Sequence, residues 1–89
     1  MLEVIKFSAT WCRPCKVYDP IITSVVDSLE GVSLTRVDIE ENPTLAAQFA
    51  VQSVPYTVFK SGDTVLGGFA GSTTKDKLHK IIASFQSTA

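Results

Sequence analysis

Two short β-rich runs separated by a long helical pattern most constrain how this chain can fold. The first run is Leu2–Ser8, and the second is Val32–Ile39. Between them, apolar residues recur at three- and four-residue steps over Arg13–Leu29, and Gly31 follows as the predicted C-cap. A helix of this length between two strands indicates a right-handed βαβ crossover, with the two strands parallel.

The rest of the chain predicts a short helix, a hairpin and a closing helix. Asn42 is the predicted N-cap of the short helix, which begins at Pro43 and runs through Ala50. The remaining elements are strands over Tyr56–Phe59 and Thr64–Phe69, joined by a glycine-containing turn, and a helix over Thr73–Phe85. The order βαβαββα predicts a three-layer α/β fold with a four-stranded mixed sheet, formed by residues 1–89 as a single domain.

Composition excludes several classes of protein. Hydrophobic residues make up 45% of the 89, which excludes a disordered chain, and the formal net charge of -1 lacks the positive excess that nucleic-acid binding requires. No apolar run approaches the roughly 18 residues that cross a bilayer, and Glu3 stands where a signal peptide carries basic residues. We therefore expect a cytoplasmic protein with neither a nucleic acid nor a membrane as its partner.

The cysteines lie only three positions apart, at the junction between the first strand and the first helix. Cys12 falls at or near the N-cap, where backbone amides and the helix dipole stabilise an anion, so its thiol pKa should fall below about 8.5. Cys15 is one helical turn further on, within disulfide reach and deeper in the fold. This placement predicts Cys12 as the nucleophile and Cys15 as the resolving thiol.

Two neighbouring residues favour a reactive pair over a structural one. Pro14 fixes φ at the start of the helix without removing a needed donor, and Arg13 adds a positive charge beside the thiolate. The alternatives are two buried cysteines at chance spacing or a zinc site, but zinc requires four ligands and only His79 is a further strong candidate. The pair is interpreted as a redox centre that needs no metal and no bound cofactor.

Together these residues resemble the thioredoxin family over nearly the whole chain. The run from Trp11 to Lys16 is similar to the family's active-site sequence, with Arg13 where glycine is usual, and Pro20 stands where the family's helix is kinked. Later similarities are Val37–Pro43, Val54–Pro55, Phe59–Asp63 and Gly71. The resemblance implies that the Val54–Pro55 bond is cis and faces the cysteines. It also implies a substrate groove, formed by Trp11, Arg13, Pro14, Val54, Pro55, Ala70 and Gly71.

Three departures from the family pattern affect this expectation. Met1 opens directly on the strand that leads to the cysteines, which resembles a short form without the usual first strand and helix. Lys6 stands where the family has a buried aspartate that exchanges a proton with the second cysteine, so that role does not carry over. Arg36 matches the family's partner lysine, and two cations on neighbouring strands are costly unless Asp38 or solvent intervenes.

Lys6, Arg36 and Asp38 are accordingly predicted to modulate the cysteine pair. A protonated lysine near the thiols would stabilise thiolate and so favour the dithiol form. A lysine deprotonated by burial would instead accept the proton of Cys15. The sequence leaves both possibilities open.

The function implied by the resemblance is thioredoxin-type reduction of protein disulfides by a monomer. Its expected partners are thioredoxin reductase or an equivalent electron donor, and protein substrates such as ribonucleotide reductase. One alternative is a disulfide-forming or isomerising enzyme, because Arg13 and Lys6 should both stabilise thiolates. Another is a non-catalytic interaction subunit that uses the same apolar groove.

Overall fold

The computed structural model describes residues 1–88 and has the expected order of elements, βαβαββα. Their bounds are β1 Leu2–Ser8, α1 Arg13–Asp27, β2 Val32–Asp38, α2 Pro43–Gln48, β3 Tyr56–Ser61, β4 Thr64–Ala70 and α3 Lys75–Thr88. The prediction of a three-layer α/β fold is confirmed.

The sheet has four strands in the order β2-β1-β3-β4. β1 pairs with β2 in parallel and with β3 in antiparallel register, and β3 and β4 form the antiparallel hairpin. The mixed sheet predicted from the sequence is therefore confirmed. β1 has a hydrogen-bonded neighbour on each side, which explains why its sequence is mostly apolar.

Side chains of β1 alternate between two hydrophobic layers. Leu2 and Val4 lie in a core shared with α1 and α3, whereas Ile5 and Phe7 pack in a second core with Ala46 of α2. Because successive strand residues point to opposite faces, Lys6 shares the α1 face with Leu2 and Val4. Because of this alternation, the Lys6 side chain lies beneath α1, the helix that carries the cysteines.

The first helix ends earlier than predicted. Ser28, not Gly31, is the C-cap of α1: its backbone N–H donates to the Ser24 carbonyl at 3.2 Å and its Oγ donates to the Val25 carbonyl at 2.7 Å. Gly31 instead lies in the turn before β2, where its φ of 74° favours glycine and its carbonyl accepts from the Leu2 amide. A serine that can bond to the last carbonyls thus ends the helix before the glycine is reached.

The two other helices also differ at their ends. α2 stops at Gln48 because Ala50 adopts a φ of 53°, outside the right-handed helical region. α3 begins at Lys75, where the Thr74 hydroxyl oxygen accepts from the Lys77 amide at 3.2 Å, as an N-cap does. None of the helices within residues 1–88 combines the length and apolar character needed to span a membrane.

Candidate active site

Cys12 and Cys15 form a disulfide across the first turn of α1, with their Cα atoms 5.3 Å apart. Cys12 is the N-cap residue, and its Sγ accepts a hydrogen bond from the Cys15 backbone amide at 3.2 Å. The Cys12 amide donates to the Ala9 carbonyl at 3.1 Å, which closes the turn between β1 and the helix. An N-terminal amide aimed at Cys12 Sγ would stabilise negative charge on that atom once the disulfide is reduced.

Burial does not separate the two cysteines in this oxidised state. Cys12 is 3% exposed and Cys15 is 2% exposed, so the expected contrast between an accessible and a shielded sulfur is absent while the disulfide is intact. What differs is their surroundings. Trp11, next to Cys12, is 67% exposed, whereas Cys15 lines a pocket that runs beneath the helix.

The segment after α2 comes close to the disulfide. Val54 packs against the small cluster formed by Ala9 and the two cysteines, and the peptide bond between Val54 and Pro55 is cis. The Pro55 carbonyl accepts a hydrogen bond from the Gly71 amide at 2.8 Å, which joins this loop to the end of β4. Val54, Pro55 and Gly71 are thus brought together beside the cysteines.

The other residues of the predicted groove lie at the protein surface. Arg13 and Pro14 are exposed in the first turn of α1, and Ala70 is exposed at the end of β4, opposite Tyr56 in the hairpin register. Trp11, Arg13 and Pro14 are next to the two cysteines in the sequence, and Ala70 precedes Gly71. Exposed residues beside a buried disulfide can receive an extended polypeptide and present it to one sulfur.

Lys6 is buried under α1 with its charge paired. Its residue is 3% exposed, and its Nζ donates to the Cys15 carbonyl oxygen at 3.0 Å and to Asp19 Oδ1 at 3.1 Å. Both partners are acceptors and one is a carboxylate, so the amine is engaged as an ammonium donor. This geometry favours the cationic of the two roles considered for Lys6.

Asp19 also resolves the conflict between the two cations. Lys6 and Arg36 are register partners on β1 and β2, and Asp19 Oδ1 accepts from Arg36 Nε at 2.9 Å as well as from Lys6. The sequence left open whether Asp38 or solvent intervenes between them, and the carboxylate that bonds to both is that of Asp19. The Asp38 carboxylate accepts instead from the Glu40 amide at 2.8 Å, in the turn after β2.

The bond from Arg36 lowers the pKa of the Asp19 carboxyl below its ordinary value, partial burial opposes this, and the bond and charge of Lys6 lower it further. Sequence reasoning missed Asp19. The available signal was its position four residues after Cys15, on the same face of α1.

A pocket of about 380 Å³ lies between β1, the first two turns of α1 and the end of β2. Its lining includes Lys6, Cys15 and Asp19, with Lys16 and Asp38 also at its wall. Cys15 therefore faces a cavity whose wall carries two cations and two carboxylates. Within residues 1–88, no three histidine, cysteine or carboxylate side chains are grouped so that they could hold a metal ion.

Comparison with known proteins places this geometry in a family. The family model described as Thioredoxin matches residues 1–84. The chain is 37% identical over 86 residues to a thioredoxin of Chlamydia trachomatis, covering 96% of this chain and 83% of that protein. It is 33% identical over 85 residues to a thioredoxin of Porphyra purpurea, covering 90% of this chain and 79% of that protein.

Solved structures agree with these sequence matches. The structure of Fasciola hepatica thioredoxin superposes with a TM-score of 0.86 at 29% identity, covering 93% of this chain and 79% of that one. Oxidised mitochondrial thioredoxin 3 of Saccharomyces cerevisiae gives a TM-score of 0.85 at 30% identity, with 93% and 77% covered. The chain therefore belongs to the thioredoxin family of protein dithiol–disulfide oxidoreductases.

Proposed function

We propose that this thioredoxin reduces protein disulfides with Cys12 as the attacking sulfur and Cys15 as the resolving one. The observation that carries the assignment is the hydrogen bond from the Cys15 amide to Cys12 Sγ at the helix N-cap. It supplies a donor to Cys12 that favours the thiolate over the thiol. Cys15, on the inner side, is placed to attack the mixed disulfide that Cys12 forms.

The reaction balances over two exchanges. The Cys12 thiolate attacks one sulfur of the substrate disulfide, and the other substrate sulfur leaves as a thiolate that takes up a proton. The Cys15 thiolate then attacks Cys12 Sγ, which forms the Cys12–Cys15 disulfide and releases the second substrate thiol. Two electrons pass from the dithiol to the substrate, and a reductase restores the dithiol.

The substrate surface is proposed to be Trp11, Arg13 and Pro14 on one side of the disulfide, and Val54, Pro55, Ala70 and Gly71 on the other. The hydrogen bond between Gly71 and Pro55 supports treating the second group as one rigid wall. Val54 lies against the cysteine cluster, so its main chain is positioned to pair with an extended substrate segment.

We also propose partners and a cellular location for the protein. Thioredoxin reductase or an equivalent is the proposed electron donor, ribonucleotide reductase is a candidate substrate, and the protein is proposed to work as a cytoplasmic monomer. The match to the thioredoxin family supports a reductase and disulfide-containing protein substrates in general.

A trapping experiment tests the assignment of the two thiols. Reduced Cys15→Ser and Cys12→Ser variants are mixed with insulin, and covalent adducts are counted on a non-reducing gel. We expect Cys15→Ser to accumulate the mixed disulfide because the resolving sulfur is missing, whereas Cys12→Ser should accumulate little. A better trap by Cys12→Ser would reverse the roles. Full cellular function in the doubly substituted Cys12→Ser/Cys15→Ser protein would instead favour an interaction subunit.

A disulfide-forming role is the second candidate, and one observation favours it. Lys6 donates to the Cys15 carbonyl at 3.0 Å, so a cation lies against the cysteine pair where the family resemblance would put a carboxylate. Positive charge stabilises the reduced, thiolate-containing form and makes the disulfide more oxidising. Equilibration with glutathione distinguishes the two: a potential near that of protein disulfide isomerase, about -180 mV, would favour oxidation, and one near -270 mV would favour reduction.

A further inference from the structure

Asp19 lies between two cations, Lys6 and Arg36, and bonds to both. Its carboxylate is held by Lys6 Nζ at 3.1 Å and by Arg36 Nε at 2.9 Å. Arg36 also donates through its second terminal nitrogen, to Asp19 Oδ2 at 3.5 Å and to the Thr23 hydroxyl. The Asp19 side chain is 38% exposed, whereas that of Lys6 is 4% exposed. The partly exposed Asp19 carboxylate thus holds the buried Lys6 ammonium in place from the solvent side.

The buried ammonium is directed at the residue that carries the resolving sulfur. Lys6 Nζ has two acceptors, the Asp19 carboxylate and the Cys15 carbonyl, and these lie four residues apart on one face of α1. Pro20 follows Asp19 inside the helix and has no N–H to give to the Lys16 carbonyl. The helix backbone here therefore lacks one of its usual bonds, beside the pocket that Lys6, Cys15 and Asp19 share.

The other charges around the pocket do not substitute for this contact. Lys16 and Asp38 line the same cavity and carry opposite charges, and Asp38 is engaged with the Glu40 amide. Arg36 is bonded to Asp19 and to the Thr23 hydroxyl. Lys6 is bonded to Cys15 through the backbone carbonyl of that residue. Its position, rather than the pocket's net charge, decides how strongly it acts on the cysteine.

We propose that Asp19 is a positioning residue for thiol exchange: it holds the Lys6 ammonium against Cys15, and the ammonium stabilises the Cys15 thiolate that resolves the mixed disulfide. This inference rests on the proposed role of Cys15. In the mixed disulfide, Cys15 is a free thiol whose proton leaves to water in the open pocket. Its thiolate attacks Cys12 Sγ, the bond to the substrate breaks, and the substrate sulfur takes the electron pair and then a proton. The permanently charged Lys6 ammonium thus promotes formation of the Cys15 thiolate without a side chain that accepts its proton.

The test is a cycle of substitutions read out on Cys15 alone. In a Cys12→Ser background, Cys15 is titrated by the ultraviolet absorbance of its thiolate, which needs no reagent to reach a buried sulfur. Lys6→Met should lower the thiolate fraction at neutral pH about tenfold, since an adjacent cation typically shifts a pKa by one or more. Asp19→Ala should lower it about threefold, because the ammonium is no longer held.

Two features of the result distinguish positioning of Lys6 from a direct effect of the Asp19 charge: the direction in which Asp19→Ala changes the thiolate fraction, and whether that change requires Lys6. Removing a carboxylate would by Coulomb's law alone increase the thiolate fraction, so a decrease with Asp19→Ala points to displacement of Lys6. When Lys6 is already methionine, there is no ammonium to position, so Asp19→Ala should leave the thiolate fraction unchanged or raise it slightly through the direct charge effect alone. An increase in both backgrounds, or no effect of Asp19→Ala beside an intact Lys6, would overturn the proposal. Asp27→Ala removes a carboxylate at the far end of the same helix and should leave the titration unchanged.

An exchanged pair keeps the test decisive if Asp19→Ala does not fold. Lys6→Asp combined with Asp19→Lys retains opposite charges on β1 and α1 but reverses the charge nearest Cys15. We expect at least a tenfold smaller thiolate fraction, whereas an unchanged fraction would mean that the pair is only structural. The titration uses no substrate, so it can fail while the trapping experiment succeeds. A reversed trapping result, in turn, would remove the proposed role of Cys15 whatever the titration shows.

Discussion

Lys6 and Arg36 are direct partners in the parallel register of β1 and β2, so two cationic side chains leave adjacent strands beneath the same helix. Left alone, they would repel each other, and the buried lysine would carry the larger desolvation penalty. The carboxylate of Asp19 bonds to both and turns the repulsion into a connected triad. The active-site helix is thereby attached to two strands of the sheet through polar contacts.

Asp19 should make the protein less stable in acid. The Arg36 and Lys6 bonds hold the pKa of its carboxyl below the ordinary value of about 3.9, so the folded state binds the proton less tightly than the unfolded chain. Its stabilising contribution is fully present above about pH 4 and is lost as the pH falls through the lowered pKa. Urea unfolding of the wild type and Asp19→Asn should show a gap in midpoint near neutrality that closes in acid.

Asp27→Asn is the matched control for this prediction, since Asp27 is an exposed carboxylate in the last turn of the same helix. It should show no comparable gap in midpoint at any pH. A gap for Asp19→Asn that persists unchanged well below pH 3 would mean that ionisation of this carboxyl does not hold the triad together.

Much of the fold could be predicted because its elements are set by local patterns. The β-rich run of β1 and the helical spacing of apolar residues over α1 can both be recognised in the sequence, and the cysteine spacing at a strand-to-helix junction predicts the disulfide pair. The end of α1 could not be predicted in the same way, since Ser28 and Gly31 are both acceptable terminators. In the structure Ser28 bonds to the last carbonyls and ends the helix, and Gly31 lies in the turn to β2.

The Asp19 contact lies beyond such local patterns. Asp19 and Lys6 are separated by 13 positions, and they meet only because α1 packs across β1 at the face Lys6 shares with the core. The local sequence, an aspartate followed by a proline within a helix, does not show whether the aspartate side chain faces solvent or a buried lysine. The conflict between Lys6 and Arg36 was visible in the sequence, but the residue that resolves it depends on tertiary packing.

A hydrogen bond between Tyr18 and Thr57 should contribute to stability. Tyr18 Oη lies 3.0 Å from Thr57 Oγ1, and both residues are fully buried between α1 and β3. Thr57→Val keeps the shape but leaves the tyrosine hydroxyl without this partner, so we expect a loss of about 1–3 kcal/mol in the free energy of unfolding. Thr35→Val, which removes an exposed hydroxyl bonded to Glu3, should cost about 0.5 kcal/mol or less.

The same tyrosine predicts a loss of stability in alkali. Burial raises the pKa of Tyr18, and the bond from Thr57 offsets this only in part. The contribution is present below the ordinary pKa of about 10 and is lost as the pH rises through the raised value. Above about pH 10, the free energy of unfolding should therefore fall less steeply with pH for Tyr18→Phe than for the wild type. Identical alkaline profiles would show that Tyr18 does not titrate with unfolding.

Replacing Lys6 should change the reduction potential of the cysteine pair. The ammonium against Cys15 stabilises the thiolate-containing reduced form, so Lys6→Met should lower the potential by about 30 mV for each tenfold loss of that preference. Lys6→Asp should lower it more, since it introduces a negative charge. The measurement is equilibration with glutathione at neutral pH, with Lys80→Met, an exposed change on α3, as the control. A slower, strongly pH-dependent resolving step with an unchanged potential would instead assign Lys6 as a base.

Trp11 should act in docking protein substrates and not in the thiol chemistry. Its side chain is 67% exposed beside the buried Cys12, so it offers a large apolar face to a bound polypeptide. We expect Trp11→Ala to reduce kcat/KM for a protein disulfide about tenfold, mostly through KM, and to leave reaction with a small disulfide such as oxidised glutathione nearly unchanged. Val17→Ala is the control, because Val17 is 62% exposed on α1 and lies outside the groove proposed for substrates. Equal losses with the two disulfides would show that Trp11 affects the sulfurs themselves, and no loss with either would remove it from the substrate surface.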